Sequence, residues 1–184
     1  PAKPTVLDGI AAGVKKEWAD ADGDAVGYSF SWYRNGDLQQ GQKGAAVPGK
    51  DLKKGEAWKV VATPNDGEKD GVAGESSITV VNTAPPRIAA DLSTVEPKAG
   101  EGVEVKIAKQ PTDPDGDKLN FRYHWHKNGK EVPALADKPA APASEIGKNQ
   151  TWKVEMWVDH GEASGPGNVR YFHSRNTPPT KPAI

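Results

Sequence analysis

The sequence predicts an all-β protein made of two tandem copies of one β-sandwich. Three observations predict it: a long internal repeat, alternating aromatic segments at matching places in each copy, and abundant turn formers between them. Asp20 and Asp113, Trp32 and Trp125, and Asn35-Gly36 and Asn128-Gly129 are each separated by 93 positions. Trp58-Lys59-Val60 and Trp152-Lys153-Val154 are separated by 94, as are Asn82-Thr83 and Asn176-Thr177. One residue is therefore inserted in the second copy, within the Ala/Pro-rich stretch from Ala134 to Ala143. A repeat of this length is a whole domain rather than a solenoid unit. The expected domains are residues 1–84 and 85–178, with 179–184 beginning a linker that copies the Asn82-Thr83-Ala84-Pro85-Pro86 joint. Pro-rich linkers are extended and semi-rigid, which favours modules strung in a row. Pro1-Ala2-Lys3-Pro4 also reads as linker, as in a mature product or a piece excised from a longer chain.

Within each copy, period-2 alternation is clearest behind an acidic turn. Tyr28, Phe30 and Trp32 share one face, with Ser29, Ser31 and Tyr33 on the other. In the second copy Phe121, Tyr123 and Trp125 are expected inside, with Arg122, His124 and His126 outside. Asn-Gly then supplies a turn that accepts positive φ, a hairpin signal. Trp58 to Ala62 and Trp152 to Met156 read as the next strand. Ile78 to Val81 and Phe172 to Arg175 read as the last. Val103, Val105 and Ile107 alternate with Glu104 and Lys106 as an early strand, whose counterpart around Ile10 to Trp18 is much less regular. About seven short strands in some ninety residues, with a central Trp on the third, predict an immunoglobulin-like sandwich. No segment has a helical period.

Composition agrees. Of 184 residues, 35% are hydrophobic, while Gly (20) and Pro (16) are plentiful, which suits short strands joined by turns. Six Trp at repeating positions argue against disorder. A net charge of −1 gives no basic field for nucleic acid. With no Cys there is neither an inter-sheet disulfide nor a thiolate site, so apolar packing must carry stability. No apolar run reaches the length of a membrane span. No nucleophile elbow or phosphate-binding glycine loop is present, and no enzyme activity is expected.

The order Asp-x-Asp-Gly-Asp, aromatic strand ending in Trp, Asn-Gly, Trp-Lys-Val, Asp-Gly or His-Gly, and Asn-Thr-x-Pro resembles bacterial extracellular Ig-like, cadherin-like and PKD-like tandem repeats. The resemblance covers nearly the whole chain beyond its first dozen residues. It implies a cell-surface or secreted setting, with neighbouring domains of a longer polypeptide as partners. Modules of this kind serve as spacers, adhesin stalks or accessory domains.

Two constellations could carry chemistry. Calcium takes hard oxygen ligands, and Asp at alternate positions around a Gly concentrates them on one turn. The candidate ligands are Asp20, Asp22 and Asp24 with Asp66 in the first copy, and Asp113, Asp115 and Asp117 with Asp159 in the second. In an Ig-like fold these loops share one end of the sandwich, near the joint at Asn82, where calcium would stiffen the tandem. The spacing is shorter than an EF-hand and lacks its final Glu. The competing reading is that these Asp residues only cap their own turns. The second constellation is confined to the second copy: His124, His126, Glu155, Trp157 and His173 are expected on the outer face of neighbouring strands. They offer either a zinc, copper or nickel site or an aromatic contact patch for a protein or glycan. Two function classes follow: a structural or adhesive module, which calcium at the first constellation would rigidify, and an accessory carbohydrate- or protein-binding domain of a secreted enzyme or filament.

Overall fold

A Trp pair sits at the centre of each repeat and organises what surrounds it. In the computed structural model, which describes residues 3–15 and 23–179, Trp32 and Trp58 meet edge to face at 6.3 Å. Trp125 and Trp152 repeat the arrangement at 6.3 Å. Edge-to-face packing suits the ring quadrupoles, and each indole N–H finds an acceptor. Trp32 donates to the Gly44 carbonyl at 2.9 Å and Trp125 to that of Lys138 at 2.8 Å. Trp58 donates to Glu56 and Trp152 to Gln150, both at 3.0 Å.

The chain divides into two compact units, Pro1–Thr83 and Ala84–Ile184. The first contains β1 (Ile10–Ala11), β2 (Gly27–Arg34), β3 (Asp37–Leu38), β4 (Ala46–Val47), β5 (Ala57–Asn65) and β6 (Gly74–Thr79). The second contains β7 (Ala90–Leu92), β8 (Val103–Ile107), β9 (Asn120–Lys127), β10 (Lys130–Glu131), β11 (Ala140–Ala141), β12 (Thr151–Asp159) and β13 (Asn168–His173). Each unit has an antiparallel four-stranded sheet, ordered β3-β2-β5-β6 in the first and β10-β9-β12-β13 in the second. Among the described residues the opposing sheet has three strands in the second unit, β11-β8-β7, and two in the first, β1-β4. The architecture is two tandem immunoglobulin-like β-sandwiches.

Alternation decides which side chains meet between the sheets. Along β12, Trp152, Val154, Met156 and Val158 are all fully buried, while Lys153, Glu155 and Trp157 face out. They join Trp125, Tyr123, Val103, Val105 and Phe172 in one core. The first unit's core is smaller and centres on Trp32, Trp58, Val60, Val47 and Leu52. Asn35 and Asn128 open the hairpin turns at positive φ (51° and 52°), each followed by a Gly in the same region. The side chains of both asparagines also accept a backbone N–H from the next strand at 2.9 Å.

Two details differ from the sequence expectation, and the place of the inserted residue is narrowed. The last strand of each unit starts about four residues earlier, at Gly74 and Asn168. Val80 stays beside the residues that precede β5, donating to Glu56 O and accepting from Gly55 N–H, whereas Val81 donates to Pro4 O, so the chain changes partner between these two residues. The extra residue of the second repeat falls between Val132 and Lys138, where the one-turn 3-10 helix Pro133–Leu135 buries Leu135. Finally, the first unit has six strands among the described residues where seven were expected; the counterpart of β7 is the one it lacks.

Candidate metal centre

The acidic turn of the second unit connects β8 to β9. Asp113-Pro114-Asp115-Gly116 closes as a β-turn in which the Gly116 N–H donates to the Asp113 carbonyl at 3.1 Å. Pro at the second position presets φ, and Gly116 takes a φ of 84°, which the turn's exit requires. Asp113 caps its own turn: its Oδ1 accepts the backbone N–H groups of Asp115 at 2.8 Å and Asp117 at 3.3 Å. That accounts for one carboxylate oxygen. The other, Asp113 Oδ2, is shut off from solvent and has no hydrogen-bond partner among the described residues, although Asp113 as a whole is 9% exposed.

An oxygen from each of Asp113, Asp115 and Asp117 lies within 4.8 Å of the others. Burying a charged oxygen without a partner is costly, and two further carboxylates beside it add repulsion. A divalent cation would answer both costs at once. The donor set is all hard oxygen and belongs to a turn that can also offer carbonyls, which matches calcium rather than a softer metal.

Asp159 does not join this cluster. It ends β12 opposite Asn120, and its Oδ2 accepts from Arg122 Nε at 2.6 Å. Arg122 also reaches Asp137 at 2.9 Å. The Arg122 hydrogen bond, and then its charge, hold the Asp159 carboxyl below the usual carboxylate range. Arg122 is the residue sequence reasoning missed. Its signal was an outward-facing Arg one strand over from Asp159, but the pairing depends on register. In the first unit Asp20 and Asp22 lie outside the described residues, and Asp24 is exposed. Asp66 is a loop cap: its Oδ1 accepts from the Glu68 N–H at 2.8 Å and the Lys69 N–H at 2.7 Å. The Lys69 bond, followed by the Glu68 bond, lowers the Asp66 pKa.

The histidines occupy the outer face expected of them, but each is engaged separately. His124 packs edge to face on Trp157 at 4.9 Å. His126 Nε2 lies 3.3 Å from Glu155 Oε2. Glu155 also accepts from Lys153 Nζ at 2.9 Å, and that bond is the main cause of its lowered pKa. His173 Nδ1 sits 3.3 Å from Thr151 Oγ1, at the far end of β12 from the His124–Glu155 pair. Among the described residues only the aspartate turn brings three such ligands together. Beside the histidines, Tyr171 (63% exposed) and Val169 project from β13.

No family model matches this chain, and no curated protein matches it. Among solved structures it is similar to the FN1-FN3 domains of chicken CNTN1, at 11% identity and a TM-score of 0.38. That match covers 84% of this chain and 58% of the other. It is also similar to the three N-terminal domains of the bacteriophage RB49 Highly Immunogenic Outer Capsid protein (Hoc), at 13% identity and a TM-score of 0.36. Here the match covers 95% of this chain and 56% of the other. The chain thus spans a little over half the length of each.

Proposed function

We propose that the chain is a non-catalytic structural module of a bacterial cell-surface or secreted protein, and that its second domain binds calcium at Asp113, Asp115 and Asp117. The single observation that carries the calcium reading is Asp113 Oδ2. Turn capping explains the other oxygen of this carboxylate, yet this one is buried, with no hydrogen-bond partner among the described residues, in a cluster of three acidic side chains. The structural reading rests on two autonomous sandwiches joined through Asn82-Thr83-Ala84-Pro85-Pro86. Each carries its own Trp-centred core, which is what a spacer or display element requires.

Isothermal calorimetry of the 184-residue chain with calcium chloride tests it. The expected result is one site with a Kd of about 10⁻⁴–10⁻³ M, the range of extracellular modules, removed by Asp113→Asn. If neither heat nor a rise in melting temperature follows calcium addition, the proposal fails. Heat that survives Asp113→Asn would assign the site to Asp20, Asp22 and Asp24 instead.

A second reading is supported by the outer face of β9, β12 and β13. Tyr171, Trp157, His124, His126 and His173 are not repeated in the first unit, where Ser77, Thr63, Ser31, Tyr33 and Thr79 occupy the equivalent places. Exposed aromatics favour recognition of a protein or glycan. A Tyr171→Ala, Trp157→Ala chain that retains all ligand binding in a glycan and partner screen would discard this reading.

A further inference from the structure

The side chains that cover the Trp pair differ between the units, although the backbone beneath them is the same. In the second unit Val132 N–H donates to Trp125 O at 2.8 Å and Leu135 N–H to Val132 O at 2.9 Å. In the first, Gln39 N–H donates to Trp32 O at 2.8 Å and Gln42 N–H to Gln39 O at 3.0 Å. Gln42 therefore stands where Leu135 is buried, and Gln39 where Val132 packs against the core. Among the described residues this exchange leaves a recess of about 630 Å³ in the first unit, over the buried Val47 and Trp58. Its amides are held in place: Gln39 Nε2 donates to Asp37 O at 2.8 Å and Gln42 Nε2 to Ala46 O. Anchoring through nitrogen leaves each amide oxygen to accept.

The charges around this place differ as well. Lys127 of the second unit is engaged: its Nζ donates to Glu145 Oε2 at 2.9 Å and lies 5.2 Å from the Trp152 ring centroid. Arg34 and Asp51 hold the equivalent places in the first unit. Arg34 turns instead towards Glu56, with Nη1 3.7 Å from Oε1, beyond hydrogen-bond length, and its guanidinium 5.9 Å from the Trp58 ring centroid. Glu56 is already occupied at Oε2, which accepts from Trp58 Nε1 at 3.0 Å and from the Lys53 N–H at 2.9 Å. Lys50 and Lys53 replace Ser144 and Gly147. The recess thus meets three cationic side chains, Arg34, Lys50 and Lys53, against one carboxylate, Asp51.

We propose that this recess binds a carboxylate-bearing sugar, a hexuronate residue of an acidic polysaccharide. The guanidinium and the two ammonium groups take the carboxylate. The glutamine amides match ring hydroxyls, which both donate and accept. The volume lies within the range of small-ligand clefts, about 300–1,000 Å³. An apolar ligand would strand the amides without partners. An acidic peptide would bring apolar side chains to a rim that offers them Leu38. The site belongs to the first unit and depends neither on the aspartate turn nor on the outer-face aromatics of the second.

Titration of the full chain with tri-galacturonate in calcium-free buffer tests the proposal. Binding is read by NMR at the side-chain amides of Gln39 and Gln42 and the indole N–H of Trp58. The expected result is saturable shifts at these signals, with affinity at least about tenfold weaker in the Lys50→Gln, Lys53→Gln chain. Both lysines are exposed, so that chain should keep its fold. Gln42→Leu should remove binding as well, by refilling the recess. The proposal is overturned by an absence of shifts, or by unchanged affinity in the double-lysine chain. It is equally overturned if a neutral galactose trisaccharide, tri-glutamate or inorganic phosphate binds as tightly as tri-galacturonate.

Discussion

The two halves of each sandwich tell different stories when the units are laid side by side. Around the Trp pair the copies coincide bond for bond, down to Asn35 and Asn128 each taking an N–H from the next strand and Pro4 and Pro97 each accepting one from the end of the last strand. Towards the other end they diverge. The second unit fills its interior with Met156, Val158, Tyr123 and β7, whereas the first has Ala62, Pro64 and Phe30 facing a cavity. The Trp-centred half therefore defines the fold in both, and the far half is where the copies have been allowed to specialise. The Arg122–Asp159 pair belongs to that same divergence, since the equivalents of Arg122 and Asp159 are Ser29 and Asn65.

The comparison can be broken or sharpened by substitution. The largest effect is expected in the shared half: Trp125→Ala and Trp32→Ala should each destabilise their own unit by about 3–5 kcal/mol. If urea denaturation followed by unit-specific probes shows one tolerated and the other not, the equivalence of the two anchors is wrong. Next, Met156→Ala should cost about 2–5 kcal/mol, since it opens a void in a sealed core. The reciprocal Ala62→Met should be neutral or mildly stabilising, because it enters space already present. A strong loss from Ala62→Met would mean that the cavity is not available to side chains. Third, 10 mM calcium should stabilise the second unit by about 1.4–2.7 kcal/mol for a Kd of about 10⁻³–10⁻⁴ M, and Asp113→Asn should abolish that gain.

The smallest effect concerns acid. Arg122 keeps the folded-state pKa of Asp159 below its unfolded value of about 3.9. The pair's stabilisation is therefore complete above that pH and is lost as pH falls through the folded pKa. The second unit should lose stability as pH falls below about 4, and Arg122→Gln should flatten that limb. Identical acid limbs in the parent and variant chains would contradict the assignment.

Much of the architecture was legible in the chain itself. Trp32 and Trp125, the Asn-Gly turns and the alternation along β9 and β12 are local signals, and each landed where the period-2 pattern put it. The change of partner at Val81 was not legible, because an apolar residue looks alike whether it pairs within the ladder or turns to another segment. The acidic turn was visible as a motif, but its decisive atom was not. That Asp113 spends one oxygen on capping and leaves the other buried is a fact of geometry. Asp159 was assigned to the wrong neighbours for a related reason: only the register of β9 against β12 brings it to Arg122. The cavity beside Phe30, by contrast, had a signal in plain view, the exchange of Met156 and Val158 for Ala62 and Pro64 between otherwise matching strands.

The most direct test of the divergence is residue-resolved amide hydrogen exchange on the intact chain, comparing Ala62 with Met156. Both lie in matching ladders, opposite Phe30 and Tyr123 respectively. A difference in protection must then come from what covers the strand rather than from how it is paired. The Ala62 region is expected to exchange at least about a hundredfold faster, through local opening of a face that borders a cavity. Equal protection at the two positions would contradict it.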